Sequence, residues 1–214
     1  MSHLGLEETL LGGQSFSWTA TSESSWKGVI GKSVVELRLS EEKLEWRTGE
    51  KFPFTEKKLR DYLWLDPSFA DAVDSLPWRS DPVLDRCMKA LPGLRILRQP
   101  MDEVLLVFLL SSVKSIPQIK EMKELVARKY GEPLALDLWS FPGWERLAEI
   151  PEAELRGMKM GYRAKYVRGV AHQIAKNPSM LRDLVEQPYE DAKAKLLNLP
   201  GVGPKVADCC LLFG

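Results

Sequence analysis

Residues 197–208 read LNLPGVGPKVAD, and this stretch predicts the fold of the chain around it. An apolar helix end, a Pro-Gly-Val-Gly turn and a second helix rich in alanine and valine are typical of a helix–hairpin–helix. Gly201 and Gly203 have no Cβ, so they allow a phosphate to approach the backbone on either side of Val202. The N–H groups of the turn lie at the positive end of the second helix. They predict a phosphate-binding site that is independent of base sequence.

The rest of the chain predicts a small sheet followed by helices. Up to residue 50, short segments rich in valine, phenylalanine and tryptophan alternate with turns, as in an antiparallel meander. The predicted strands are 14–19, 26–30, 34–39 and 43–47. Thr55 can cap a first helix that begins near Glu56. The later predicted helices are 67–75, 82–91, 102–111, 117–130, 144–150, 151–158, 162–175, 180–185, 189–197 and 204–213. The predicted class is α+β, with a sheet domain over 1–75 and a helical domain over 76–214.

The charge balance leaves two interpretations open. With 30 basic and 30 acidic residues, the net charge of zero argues mildly against a nucleic-acid partner. Basic side chains nevertheless cluster without an acid between Arg156 and Lys176, which fits either a phosphate-binding surface or a solvated helix face. These basic residues are Arg156, Lys159, Arg163, Lys165, Arg168 and Lys176.

Cysteine usage and hydropathy exclude several classes of protein. The three cysteines form no CxxC pair and no metal-ligand spacing, so we predict neither a disulfide framework, nor a metal site, nor any cofactor. A reducing compartment, cytoplasmic or nuclear, is the expectation. Apolar runs fall well short of the roughly 20 residues that span a membrane, and the first residues lack a secretory leader, so no membrane association is expected.

Four segments in order resemble the helix–hairpin–helix DNA glycosylases, and among them the 8-oxoguanine DNA glycosylases. They are 13–18 (GQSFSW), 97–112 (beginning LRQP and ending FLLSS), 160–166 (MGYRAKY) and the hairpin at 199–209. The resemblance implies a TBP-like antiparallel sheet domain followed by a helical glycosylase domain. It also implies a monomeric repair enzyme that excises 8-oxoguanine from duplex DNA and cleaves abasic sites.

Lys205, at the start of the helix after the hairpin, carries the implied chemistry. An amine of ordinary basicity is a poor nucleophile at neutral pH, but desolvation in a cleft and the positive helix end both favour its neutral form. The resemblance implies that Lys205 attacks the sugar C1′, displaces the damaged base and forms a Schiff base. The alternative is a surface lysine that binds phosphate.

The resemblance also implies residues that open the duplex and hold the base. A base must be flipped out before it can be excised. Tyr162 is the implied wedge in the base stack, and Arg163 the implied reader of the orphaned cytosine. The alternatives are a helix-interface aromatic for Tyr162 and a phosphate contact for Arg163. The Gly13 carbonyl would accept the N7–H that distinguishes 8-oxoguanine from guanine, while Cys209 and Phe213 would line the base pocket. The alternative for Cys209 is a small buried hydrophobe.

The sequence departs from the family pattern in two places. Val113, Lys114 and Ser115 occupy the usual positions of asparagines that enter the DNA gap, and Gln118 replaces an arginine. Lys114 and Gln118 remain candidate DNA contacts. The family's catalytic aspartate follows the lysine helix in a VPVD-like turn, and the chain ends at Gly214 before such a turn.

The missing turn keeps rival interpretations open. We expect the chain to be part of a longer enzyme. One rival is a catalytically deficient DNA-binding fragment, and another is a related glycosylase for other damaged bases. Asp208 does not match the aspartate motif, because it lies within the helix that carries Lys205.

We expect relaxed selectivity for the base opposite the lesion, because half of the cytosine-reading set is replaced. Excision of 8-oxoguanine should proceed at comparable rates opposite all four bases. Single-turnover rates on four duplexes that differ only at that position measure this. A strong preference for cytosine would contradict the expectation.

Overall fold

The computed structural model describes residues 2–41 and 43–214 and divides into two compact units. One unit comprises Met1–Gly28 and Ser33–Arg98, and the other comprises Val29–Lys32 and Gln99–Gly214. This division lies later in the chain than the boundary predicted at residue 75. The segment before Gln99 belongs to the first unit because its backbone is hydrogen-bonded there. The N–H of Arg95 donates to Thr9 Oγ1 at 3.0 Å, and the N–H of Leu97 donates to Gln14 Oε1 at 2.8 Å.

The predicted antiparallel sheet and the α+β class are confirmed. The strands form one four-stranded sheet in sequence order, with β1 antiparallel to β2 and β3 antiparallel to β4. Trp18, Trp26 and Leu37 contribute almost fully buried side chains from this sheet. The elements through the first unit are α1 His3–Leu11, β1 Trp18–Ser22, β2 Ser25–Ile30, β3 Ser33–Ser40, β4 Lys43–Thr48, α2 Glu56–Tyr62, α3 Ser68–Ser75 and α4 Pro82–Ala90.

Helix α1 was not predicted, because residues 1–50 were interpreted as strands and turns only. The Ser2 hydroxyl caps the helix by accepting the Gly5 N–H at 3.0 Å. Leu6 and Leu10, one turn apart, are fully buried. A Cβ on Gly5 would lie 2.6 Å from the carbonyl oxygen of Pro92, so the helix packs closely against a distant segment. This tertiary packing, rather than a strong local pattern, stabilises the helix.

The second unit is helical and is built around α5. Residues 104–110 of this helix are all buried, as expected for a helix that is apolar on every side. Its elements are α5 Met101–Leu110, α6 Ile116–Tyr130, α7 Trp144–Glu149, α8 Glu152–Leu155, a π-helical turn Arg156–Met160, α9 Arg163–Lys176, α10 Met180–Leu184, α11 Tyr189–Leu197 and α12 Pro204–Phe213. Among the described residues, no helix is long and apolar enough to cross a membrane.

A single helix was predicted over 151–158, whereas the structure has the short helix α8 followed by a π-helical turn at Arg156–Met160. Lys159 and Gly161 both have positive φ, of 65° and 57°, so helical hydrogen bonding stops there. The chain then re-enters a helix at Arg163. The break therefore places Tyr162 and Arg163 at the start of α9.

A buried ion pair ties α5 to α6 and to the β2–β3 turn. Lys123 Nζ lies 2.7 Å from Glu103 Oε2, and both side chains are largely buried. The second carboxylate oxygen of Glu103 accepts the N–H of Gly31 at 3.0 Å. The carboxylate is thus satisfied by contacts from two segments distant in sequence.

We expect Lys123→Met to destabilise the chain by about 3 kcal/mol, because it removes the ammonium that pairs with the buried Glu103 carboxylate. The free energy of unfolding from urea titration measures this. Lys89→Met is the matched control, since Lys89 pairs with Asp85 at the surface, and it should change the free energy by under about 1 kcal/mol. Equal effects of the two substitutions would show that burial of the pair does not matter.

Candidate nucleic-acid interface

The predicted hairpin is present and lies between α11 and α12. The N–H of Val202 donates to the carbonyl of Leu199 at 3.1 Å, and both side chains are buried. Gly201 has φ of +81° and is exposed. The side chain of Val202 therefore anchors the turn, and only its backbone is available for the DNA contact predicted at this position.

Two glycines allow the hairpin to pack against α9. A Cβ on Gly201 would lie 2.5 Å from Tyr166 Cγ, and a Cβ on Gly169 would lie 2.8 Å from Pro200 Cγ. Sequence reasoning missed both contacts, although a glycine within the helical pattern of α9 was a usable signal. Their effect is to hold the turn against the helix that begins beside Tyr162.

The N-terminus of α12 offers unpaired backbone N–H groups. Pro204 is the first helical residue and has no N–H, and no side chain caps the helix at Gly203. In the described part of the chain, the N–H groups of Gly203, Lys205 and Val206 have no hydrogen-bond acceptor. The space where a Cβ on Gly203 would stand is open to 4 Å. This geometry suits an anion such as phosphate.

Lys205 lies in the first turn of α12, above an aromatic pair. Its Nζ is 4.5 Å from the centroid of the Phe108 ring, and that ring stacks on Phe213 at 5.6 Å between centroids. Lys205 itself is exposed, so the desolvated cleft expected around it is not formed by the described residues. Phe108 attracts the ammonium through a cation–π contact, which sequence reasoning did not foresee.

The adjacent cysteines differ in environment. Cys209, one turn after Lys205, is half-buried, whereas Cys210 is fully buried. Burial, followed by the neighbouring Cys209, raises the pKa of the Cys210 thiol to about 12, against a smaller lowering by Lys205. Cys210 is therefore an unreactive packing residue, and Cys209 is the more accessible of the two.

Asp208 faces α11 and is committed to two partners. Its Oδ1 accepts from Lys193 Nζ and from the Tyr189 hydroxyl, each at 2.7 Å. These two hydrogen bonds hold the pKa of the Asp208 carboxyl below its usual range. Asp208 thus joins the two helices of the hairpin.

A second cluster joins the start of α9 to the loop after α5. The Tyr162 hydroxyl donates to Ser112 Oγ at 3.1 Å, and the Arg163 guanidinium donates to the Ser112 carbonyl. Tyr162 is 46% exposed, whereas Arg163 is 5% exposed. The next residue, Val113, is 92% exposed and has φ of +53°, a strained conformation for a β-branched residue.

The remaining predicted residues lie as follows. Lys114 is half-buried, and its N–H donates to the Ser111 carbonyl at 3.2 Å. Gln118 Oε1 accepts the Ser115 N–H at 3.1 Å, so this side chain caps α6. Gly13 belongs to the first unit, where it has φ of +101°, and the neighbouring Gln14 is fixed by bonds to the backbone of Arg95 and Leu97. Within the described residues, no group of three or more His, Cys, Asp or Glu side chains is placed to hold a metal ion.

Comparison with known proteins gives a consistent result. Residues 1–105 match the family model for the N-terminal domain of 8-oxoguanine DNA glycosylase. The N-glycosylase/DNA lyase of Arabidopsis thaliana is 32% identical over 225 residues, which cover 99% of this chain and 61% of that protein. The chain therefore spans about three fifths of the length of this curated relative.

Two solved structures superpose on the whole chain. The protein named MBOgg1, in complex with a low-affinity DNA ligand, has a TM-score of 0.89 and 31% identity, covering 100% of this chain and 74% of that one. The 8-oxoguanine glycosylase/lyase of Clostridium acetobutylicum, in complex with double-stranded DNA that has cytosine opposite 8-oxoguanine, has a TM-score of 0.88 and 26% identity. It too covers 100% of this chain and 74% of that one.

We expect Gly201→Ala to destabilise the chain by about 2 kcal/mol, because alanine is strained at positive φ and its Cβ would overlap Tyr166. Gly203→Ala is the matched control: its φ is −96° and its Cβ position is open, so a change within about 0.5 kcal/mol is expected. Thermal and urea unfolding of both variants measure the difference. Similar losses in the two variants would show that the contact between Gly201 and Tyr166 does not support the hairpin.

Proposed function

Because the chain belongs to the 8-oxoguanine DNA glycosylase family, we propose that it binds duplex DNA containing 8-oxoguanine, excises the base and cleaves the resulting abasic site. The proposed location is wherever cellular DNA lies, the nucleus or the nucleoid. The proposed nucleophile is Lys205. The hairpin and this lysine both lie in the second unit.

The observation that carries the proposal is the position of Lys205 beside the unpaired N–H groups of α12. A phosphate held by the N–H groups of Gly203 and Val206 would bring its own sugar close to the lysine side chain. Binding through backbone groups requires little net positive charge, which accounts for DNA binding by a chain of zero net charge. The turn at Gly201 is exposed on the same surface and packs closely against Tyr166.

The proposed reaction begins with a neutral Lys205 amine. Its nitrogen forms a bond to the sugar C1′ while the bond from C1′ to the base nitrogen breaks, and the base leaves with that electron pair. The C1′–O4′ bond of the sugar ring then breaks, O4′ takes one proton from the attached nitrogen, and a protonated imine between Lys205 and C1′ results. Loss of a proton from C2′ expels the 3′ phosphate and cleaves the strand. Before the attack, Lys205 Nζ lies 4.5 Å from the centroid of the Phe108 ring, on the surface that carries the unpaired N–H groups of α12.

The proposed duplex and base contacts come from further residues. Tyr162, which is exposed at the start of α9, is the proposed wedge that fills the stack when the base is flipped out. Cys209 and Phe213 are the proposed pocket residues on α12, and the Gly13 carbonyl is the proposed acceptor for the lesion N7–H. Lys114 is a proposed phosphate contact.

Lys205→Gln should abolish covalent trapping by borohydride on a duplex with 8-oxoguanine opposite cytosine, because glutamine cannot form an imine. The measurement is the yield of a slower-migrating protein–DNA adduct on a denaturing gel. Lys195→Gln is the matched control, since Lys195 is an exposed lysine of α11 on the other arm of the hairpin. It should trap at the level of the unmodified chain.

Three outcomes would count against the proposed function or its mechanism. An adduct that persists in Lys205→Gln would assign the imine to another amine. If the unmodified chain binds the duplex but never traps, the catalytically deficient DNA-binding interpretation replaces the lyase. Trapping on a duplex with an alkylated base, and none on 8-oxoguanine, would favour the related-glycosylase alternative.

A further inference from the structure

Arg163 is a buried cation with an unusual set of partners. Its guanidinium donates to the carbonyl of Ser112 and, at 3.4 Å, to the carbonyl of Met160. It also lies 4.4 Å from the centroid of the Tyr162 ring. Its Nε is fully buried and has no acceptor among the described residues. An arginine so enclosed is directed toward the protein backbone and away from solvent.

The contact with Ser112 joins two segments that are distant in sequence. The same serine accepts the Tyr162 hydroxyl through its side chain, at 3.1 Å. Val113 follows immediately, with 92% of its surface exposed and with a φ that β-branched residues rarely adopt. An exposed apolar residue in a strained conformation requires surrounding contacts that hold it there. Ser112 is the point where Arg163 and Tyr162 supply such contacts.

We propose that Arg163 is a positioning residue that holds the loop carrying Val113 beside Tyr162, so that the two exposed side chains form one preassembled apolar wedge, and that Arg163 does not itself read the opposite base. This inference rests on the proposed function for its DNA-dependent part. It departs from the role of cytosine reader expected for Arg163 from sequence. It also assigns a DNA-facing role to Val113, where the family pattern has a polar residue.

The burial of Arg163 argues against direct base reading. A reader must present its donors to the edge of a base, yet the Arg163 side chain is 95% covered and one of its donors is already used by the Ser112 carbonyl. Reading a base would require the guanidinium to leave this buried position, because its covered N–H groups cannot reach a base edge from there. Val113 has no polar atoms in its side chain, and Gln118 uses Oε1 to cap α6. A wedge of this composition contacts any of the four bases in the same way.

The positioning role can be tested without DNA by hydrogen exchange. The Lys114 amide, bonded to the Ser111 carbonyl at 3.2 Å, reports on the loop. In Arg163→Met its exchange should be at least ten-fold faster, while amides within α5 keep their protection. Arg163→Lys should restore most of the protection, since an ammonium can still donate to the Ser112 carbonyl. Arg168→Met, at an exposed site on the same helix, should leave the exchange unchanged.

The role on DNA can be tested with a fluorescent duplex. The duplex carries a tetrahydrofuran abasic-site analogue opposite each of the four bases in turn, with 2-aminopurine as the neighbouring base. The fluorescence of 2-aminopurine rises when a side chain inserted at the abasic site unstacks it. Arg163→Met should lower the enhancement by the same factor, about five-fold or more, with all four opposite bases, and Arg163→Lys should stay near the unmodified chain. Val113→Gly should also lower the enhancement for all four.

Each outcome decides one part of the inference. Loss of enhancement confined to cytosine, in Arg163→Met or in Arg163→Lys, would establish base reading and overturn the positioning role. Unchanged exchange of the Lys114 amide in a folded Arg163→Met would also overturn it. If Arg163→Met does not fold, Arg163→Lys alone decides, because it keeps a donor but loses the forked geometry that a cytosine reader needs. If the unmodified chain gives no fluorescence enhancement, the proposed DNA function fails, while the exchange result still decides the role of Arg163.

Discussion

The helical unit depends on a close approach of backbone to side chains that only glycine permits. At Gly201 the turn of the hairpin lies against the Tyr166 ring, and at Gly169 the surface of α9 leaves room for the Pro200 ring. A Cβ at either position would come within 3 Å of its neighbour. The hairpin and α9 therefore interlock, and this packing fixes the direction in which α12 begins. The direction of α12 in turn determines where the side chain of Lys205, in its first turn, is placed.

The same packing concentrates DNA-binding potential in a chain with no excess positive charge. The start of α12 presents backbone N–H groups whose dipoles are aligned, and their attraction for a phosphate does not depend on the net charge of the molecule. Several basic side chains of that run are in fact paired locally, as Arg156 is with Glu152 and Lys159 is with Glu121. The basic run noted in the sequence is thus partly a set of surface ion pairs. The hairpin backbone is the stronger argument for a nucleic-acid partner.

Two clusters in the helical unit have different characters. Around Lys205 the neighbouring side chains are the aromatic pair Phe108 and Phe213, together with Cys209 one turn further along α12. Lys205 is exposed, with its amine above the Phe108 ring. Around Ser112 the contacts are polar and partly buried, and they support an exposed apolar tip. The first cluster suits a group that must react, because its amine is exposed. The second suits a group that must keep its shape when it enters a base stack, because its support is already formed in the protein alone.

Local patterns in the sequence predicted the order of the elements from β1 onward. The strand alternation up to residue 50, the Thr55 cap and the glycine-bounded turn at 200–203 each lie within a window of a few residues, so propensity and periodicity predict them directly. The position of Lys205 at the start of α12 follows in the same way. The ordered segments also indicated the family. Helix α1 was missed because its burial of Leu6 and Leu10 depends on the rest of the first unit.

The roles of individual side chains were decided by tertiary structure. Arg163 and Ser112 are 51 positions apart, and the sequence contains no sign that the guanidinium turns inward to that carbonyl. Lys205 meets Phe108 only because α12 packs on α5. Sequence alone determined that a sheet is followed by helices, that the last two helices form a hairpin, and that Lys205 lies at the start of the second of them. Each of these features depends on the spacing of residues that are close in the chain. Whether a given cation faces solvent, a ring or a carbonyl was decided only by packing, because burial and hydrogen-bond partners come from segments distant along the chain.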